Sequence, residues 1–238
     1  MSLLRMPLIN DQGMWVMQPT YERIWDFCDG LAKCRPRLKG GYVDTTGKLA
    51  IDDAYYYLED FNEGVATVET KQGWILIDKT NNKIGNELFE AAKQFQNGIA
   101  RAKKDKWGLI DKNGNWLVQP RYDFIEPFKD GFAKVKDGEY ICFFDRDGKW
   151  GLRTMFNDVE DFSEGYAVTK SDDKYGFINK HGAWVIPAKF QKAKAFKGGY
   201  AIVKENGSWG IIDKNGNYTA QPKFDKIIEL PEDEVGED

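Results

Sequence analysis

Apolar and polar residues follow one another in short bursts that return to the same arrangement again and again. Two adjacent apolar residues, Leu109-Ile110, precede Asp111, and the same step precedes Asn10 (Leu8-Ile9), Asp44 (Tyr42-Val43), Asp78 (Leu76-Ile77), Asp145 (Phe143-Phe144), Asn179 (Phe177-Ile178) and Asp213 (Ile211-Ile212). Neighbouring strand residues point to opposite faces of a sheet, so this step predicts a strand covered on both sides. The polar segment Asp111-Lys112-Asn113-Gly114 then predicts a hairpin turn. Its Asp bonds the backbone ahead, and its Gly takes positive φ. A second strand is expected at 115–119, ended by Pro120 as others are by Pro19 and Pro222, with Pro187 one place earlier, because proline lacks a ladder donor. Residues 132–136 alternate and read as a third strand, after which Asp137-Gly138, like Asn206-Gly207, turns tightly into the next copy.

The anchors Asn10, Asp44, Asp78, Asp111, Asp145, Asn179 and Asp213 stand 34, 34, 33, 34, 34 and 34 residues apart. Three residues after them come Gly13, Gly47, Asn81, Gly114, Gly148, Gly182 and Gly216. Eleven after come Tyr21, Tyr55, Phe89, Tyr122, Phe156, Phe190 and Phe224, and seventeen after come Phe27, Phe61, Phe95, Phe128, Phe162, Phe196 and Leu230. With aromatic residues at 14% of the chain, an aromatic in all seven copies of one slot has a chance of about one in a million, so the period is real. Glycine at plus twenty and alanine at plus twenty-two recur in six copies, and the alanine implies close backbone approach. The one-residue deletion falls between Ala102 and Trp107, in a turn. Trp150-Gly151 imitates Trp107-Gly108 but is in register with Trp116-Leu117; the counterparts of Trp107 are Ile141 and Tyr175.

The expected fold is all-β: seven tandem repeats of three-stranded antiparallel meanders, each with a crossing segment between its second and third strands whose aromatics at plus eleven and plus seventeen plug the space between copies. A unit of this size cannot bury a core alone. Residues 1–230 are therefore expected to be a single continuous array, with an acidic tail at 231–238. An open, twisted stack is the expected arrangement, because a propeller blade usually takes about 40 residues or more and the first strand occurs once more often than the third. A seven-bladed β-propeller is the alternative.

Composition narrows the function classes. No apolar run approaches the roughly 18 residues of a membrane helix, so no membrane span is expected. A net charge of −4 and a pI near 5.3 argue against nucleic acid as partner, since that affinity rests on a basic footprint. The three cysteines, Cys28, Cys34 and Cys142, fit neither a disulfide framework nor a metal site and read as buried structural thiols. That points to a reduced cytoplasmic setting. Residues 1–8 lack the apolar core of a signal peptide, and an envelope or secreted location would require a leader already removed.

The phrases Lys106-Trp107-Gly108-Leu109-Ile110-Asp111-Lys112-Asn113-Gly114, Tyr175-Gly176-Phe177-Ile178-Asn179-Lys180-His181-Gly182 and Ser208-Trp209-Gly210-Ile211-Ile212-Asp213-Lys214-Asn215-Gly216 resemble bacterial WG repeats, also called KWG repeats. The resemblance extends to the downstream proline-aromatic and Phe-x-x-Gly-x-Ala elements and covers essentially the whole chain. It departs at Met6-Pro7, Gly40-Gly41, Trp74-Ile75 and Ile141-Cys142. The resemblance implies a bacterial origin, an all-β repeat and an accessory module of envelope and cytoplasmic proteins, with no catalytic motif to carry over.

Little in the sequence points to chemistry. The loops opening at Asp111 and Asp213 start like a calcium loop, but Trp116 and Tyr218 stand where the glycine belongs, and Tyr122 and Phe224 where the bidentate Glu belongs. His181 sits in a turn without a second His or a Cys at ligand spacing. Asp158, Glu160 and Asp161 read as a solvated face, and the basic stretch 189–204, with Lys192, Lys194 and Lys197, as a soluble rim. Neither a cofactor nor a metal site is expected, and no enzyme activity. Five residues after the anchors stand Trp15, Trp116, Trp150, Trp184 and Tyr218. On one side of the array they would form a ladder for stacking on sugars or anchoring a peptide; otherwise they pack between repeats. The expected function is a non-catalytic scaffold that binds a protein or peptide, with a cell-envelope glycan-binding module as the alternative.

Overall fold

The computed structural model describes residues 6–9, 15–21, 23–35, 39–154, 156 and 158–228. Asn10, Gly13, Leu230 and the acidic tail lie outside them, as do the side chains of Trp15 and Tyr21. Among the described residues every regular element is a strand and every pairing antiparallel: a two-stranded sheet of Met6–Ile9 and Trp15–Tyr21, followed by six larger sheets. The chain groups into two compact units, Met1–Ile125 with Arg146–Lys149, and Glu126–Asp145 with Trp150–Asp238.

The sheet at 91–122 shows the plan. Its strands, in order across the sheet, are Ala91–Ala92, Ile99–Lys104, Lys106–Asp111 and Trp116–Tyr122. The first two belong to the copy anchored at Asp78 and the last two to the copy anchored at Asp111, and each of the six larger sheets is shared between consecutive copies in this way. The expected three-stranded meander is also one strand short. Four of the six larger sheets have four strands, because the crossing segment adds a short outer one. The reason is polar satisfaction of the backbone. Lys93 N donates to Arg101 O at 2.9 Å, and in the three-stranded sheets Glu126 N donates to Lys134 O and Glu160 N to Val168 O at the same distance.

Proline does not end the second strand as expected. Trp116–Tyr122, Trp184–Phe190 and Tyr218–Phe224 run through Pro120, Pro187 and Pro222. Pairing skips the proline: Leu109 lies opposite Val118, but Trp107 lies opposite Tyr122, so two residues on one strand face four on the other. A bulge leaves residues outside the ladder, and the missing N–H is lost without penalty there. The bulge also accounts for the glycine of the Trp-Gly pair. A Cβ on Gly108 would lie 2.4 Å from Val118 O, and one on Gly176 2.5 Å from Ile186 O. Where Cys142 holds this slot, Arg153 and Leu152 face Cys142 and Phe143 in unbroken register, and the larger side chain fits, fully buried.

The core lies between consecutive sheets. In the first unit, Tyr42 and Ile51 of one sheet meet Phe61, Ala66 and Val68 of the next, and Leu76 and Phe89 then meet Ala92, Phe95 and Ala100. In the second unit, Phe143 meets Phe162 and Ala167, and Phe177 and Phe190 meet Phe196 and Ala201. The ring at plus seventeen rests on the ring two before its anchor: centroids are 4.7 Å apart for Phe61 and Tyr42, 4.9 Å for Phe162 and Phe143, and 4.8 Å for Phe196 and Phe177. Not every expected plug is closed in. Phe128 is half-buried, and Phe27 and Phe224 are exposed.

Turns repeat as closely as plugs. The anchor carboxylates of Asp44, Asp78, Asp111 and Asp213 each accept backbone N–H bonds from the second and fourth residues ahead, as does the amide oxygen of Asn179. Asn81, in a glycine slot, takes a φ of +68°, which Asn tolerates better than other side chains. The turn expected at Asp137-Gly138 sits one place later, at Gly138-Glu139, between paired Asp137 and Tyr140. In the shortened copy, Asp105 alone separates paired Lys104 and Lys106 at a φ of +65°.

Candidate functional site

Of the recurring aromatics five residues after the anchors, Trp116, Trp150, Trp184 and Tyr218 are engaged with their neighbours, and the side chain of Trp15 lies outside the described residues. Trp116 meets Phe89 of the preceding copy edge-on at 5.6 Å, and Trp184 meets Phe156 at 5.1 Å. Trp150 stacks on Phe144 at 4.5 Å. Tyr218 donates its hydroxyl to Glu205, and burial first, then that carboxylate, push its own ionisation above the phenol range. Trp150 and Trp184 keep the most open faces, 46% and 36% exposed. His181 is an exposed turn residue whose backbone N–H bonds Asn179. In the Asp111 and Asp213 loops, the second carboxylate oxygen accepts from Asn115 and Asn217, so both oxygens serve the turn. Cys34 and Cys142 are buried; Cys28 is half-buried, and desolvation raises its thiol. In the basic stretch, Lys189 lies over the rings of Phe190 and Tyr218, and Lys204 over Trp209.

Two surface grooves lie elsewhere, at the crossing segments. In the first unit a groove of about 440 Å³ is lined by Glu59, Asn62, Lys93, Gln94, Phe95, Gln96 and Arg101. In the second, a groove of about 700 Å³ is lined by Lys129, Asp130, Lys134, Glu160, Asp161, Ser163, Glu164 and others. Apart from the residues of the third strand, both are built from slots fifteen to nineteen after an anchor. The third strand adds the residue at plus twenty-three, Arg101 or Lys134.

Their electrostatics differ. In the first groove, burial raises the half-buried Glu59 carboxyl above the usual range against the pull of Lys93, Lys33 and Arg101. Tyr42 donates its hydroxyl to the Glu59 carbonyl at 2.7 Å. Arg101 Nη1 donates to Ile125 O at 2.9 Å. In the second groove, Asp161 bridges Lys129 at 2.6 Å and Lys134 at 3.0 Å. Desolvation would raise Asp161, but those two cations outweigh it and hold its carboxyl below the usual range. Glu160 stands at the rim, where crowding by the surrounding protein and then Asp158 push its carboxyl up. The acidic run at 158–161 is thus partly built into ion pairs instead of being a uniformly solvated face. Sequence reasoning passed over Glu59, Lys93 and Arg101. The only signal was that crossing-segment slots change charge from copy to copy while their neighbours stay constant.

The acidic residues at the two-residue turns form a further recurring set. Asp29 Oδ2 accepts from Gly64 N at 2.6 Å and Asp130 Oδ2 from Gly165 N at 2.5 Å, in each case the turn glycine of the following copy. Lys79 and Lys214 close on Asp29 and Glu164 at 2.7 and 2.9 Å. Those lysines, before any other contribution, lower both carboxyls.

This is an all-β tandem-repeat protein with sheets shared between copies and polar grooves at its crossing segments. The chain belongs to the WG containing repeat family, whose pattern matches residues 8–33, 41–74, 107–140, 143–175, 175–209 and 209–233. Among solved structures it is similar to Kluyveromyces lactis Hsv2, at 10% identity and a TM-score of 0.42 over 78% of this chain and 71% of that one. It is also similar to a eukaryotic initiation factor, at 10% identity and a TM-score of 0.45 over 90% and 70% of the two chains. A third is YCF48 bound to D1 peptide, at 13% identity and a TM-score of 0.35 over 83% and 80%. No curated protein sequence matches the chain.

Proposed function

We propose that the chain is a non-catalytic scaffold that recognises a protein or peptide through its crossing-segment grooves. One observation carries this reading: the framework slots repeat while the groove slots change. At plus fifteen, sixteen and eighteen stand Glu59, Asp60 and Asn62 in one copy, Lys93, Gln94 and Gln96 in the next, and Glu160, Asp161 and Ser163 in another. Variation confined to loops on a rigid frame suits recognition, because the frame sets position and the loops set preference.

Panning a random displayed-peptide library on the wild-type chain and on a variant carrying Glu59→Ala, Lys93→Ala and Glu160→Ala tests the reading. A motif enriched on the wild type and lost on the variant supports it. No enrichment, or the same peptides on both, overturns it. The glycan reading draws on the open faces of Trp150 and Trp184. Tryptophan quenching by envelope glycans would favour it, and a silent glycan panel would remove it.

A further inference from the structure

The crossing segment and the third strand set the residues at plus fifteen and plus twenty-three directly opposite each other. In the second unit these are Glu126 and Lys134, joined by a backbone bond of 2.9 Å and an ion pair of 3.3 Å. In the sheet at 91–122 the same slots hold two cations, Lys93 and Arg101. Their register follows from the pairs Ala91 with Lys103 and Ala92 with Ala102, and from the bond of Lys93 N to Arg101 O at 2.9 Å.

Directly opposed residues of an antiparallel pair share a face, with Cβ atoms roughly 5 Å apart, and like charges there repel. Among the described residues neither Lys93 nor Arg101 makes an ion pair within 4 Å, and Glu59, which lines the same groove, attracts both from further away. The bond to Ile125 O holds the guanidinium half-buried, with donors to spare. Asn62, Gln94 and Gln96 add neutral donors around the opening. The stretch 75–106, which carries both cations, falls between two family matches.

We propose that Lys93 and Arg101 form a binding site for the carboxylate of an acidic peptide side chain. The proposal rests on the peptide-recognition reading and names the ligand chemistry of one groove. Two cations flanking one carboxylate make charge-assisted hydrogen bonds stronger than neutral ones.

Calorimetric titration of the full chain with the acetylated and amidated peptide Gly-Glu-Glu-Glu-Gly, its Gln counterpart and inorganic phosphate tests the site. The glutamate peptide should bind at least about tenfold tighter than the glutamine one, the difference a charged hydrogen bond makes, and tighter than phosphate. Lys93→Gln should lose that preference. Lys93→Glu should lose it and also raise the thermal midpoint, because it rebuilds the Glu126 and Lys134 pairing in this sheet. Equal binding of the Glu and Gln peptides, tighter binding of phosphate, an unchanged preference in Lys93→Gln, or a lowered midpoint in Lys93→Glu would each overturn the assignment. A library that enriches only neutral or basic peptides on the wild type removes this site and leaves peptide recognition standing.

Discussion

Gly108 faces the carbonyl oxygen of Val118 so closely that a Cβ at residue 108 would stand 2.4 Å from it. The bulge around Pro120 brings that oxygen inward, so the second half of the Trp-Gly pair is a steric requirement of the neighbouring strand. Gly108→Ala is expected to lose about 1 to 3 kcal/mol by overpacking, and Gly176→Ala a similar amount. Urea denaturation of both variants checks this; unchanged midpoints would mean the bulge does not press on the motif.

Phe61 and Phe95 are each 1% exposed and close the space between consecutive sheets of the first unit. Replacing either with alanine should destabilise the fold by about 3 to 5 kcal/mol through the cavity left behind. Phe224, at 37% exposure in an equivalent series, should lose far less on the same change. Equal losses at Phe61 and Phe224 would contradict the division between closed and open plugs.

The anchor carboxylates tie stability to acid. Backbone N–H donation from Asn82, before its side chain and Thr80, brings Asp78 down to about 2, and Asp44 and Asp213 shift the same way. As pH falls, the unfolded chain takes up these protons first, near the ordinary value of about 3.9. The stabilisation is therefore complete above about pH 4 and is lost as pH drops toward 2. Asp78→Asn, which can keep the acceptor as Asn179 does, should flatten the decline of urea midpoints over that window. A decline as steep as in the wild type would count against the turn as its source.

Asp130 reaches from its own turn to Gly165 N at 2.5 Å. Asp130→Ala should speed hydrogen exchange at the Gly165 amide by about tenfold, the range of one charge-assisted bond. Glycine amides of turns in the first unit should be unaffected. Exchange at Gly165 that does not change would show that its protection comes from elsewhere.

Much of the fold was legible because its signals are local. Asp78 and Asn82 lie within one turn, so residue type alone predicts their bonds. Tyr55, Phe89 and Phe190 recur at one slot because each meets the same kind of neighbour. The groove was not legible. Lys93 and Arg101 look like two scattered surface cations until strand register sets them face to face, and Pro120 looks like a strand end until the bulge carries pairing on to Tyr122.

From its sequence alone, then, this chain determined its period, its turns, its all-β character and the aromatic slots on which its cores depend, since each follows from backbone preference or from side-chain burial repeated every 34 residues. Tertiary structure alone decided that a larger sheet draws its strands from two consecutive copies, which glycines are hemmed in, and which charges meet. Those outcomes depend on register between strands and on packing between sheets, where a shift of one residue reverses the face a side chain occupies.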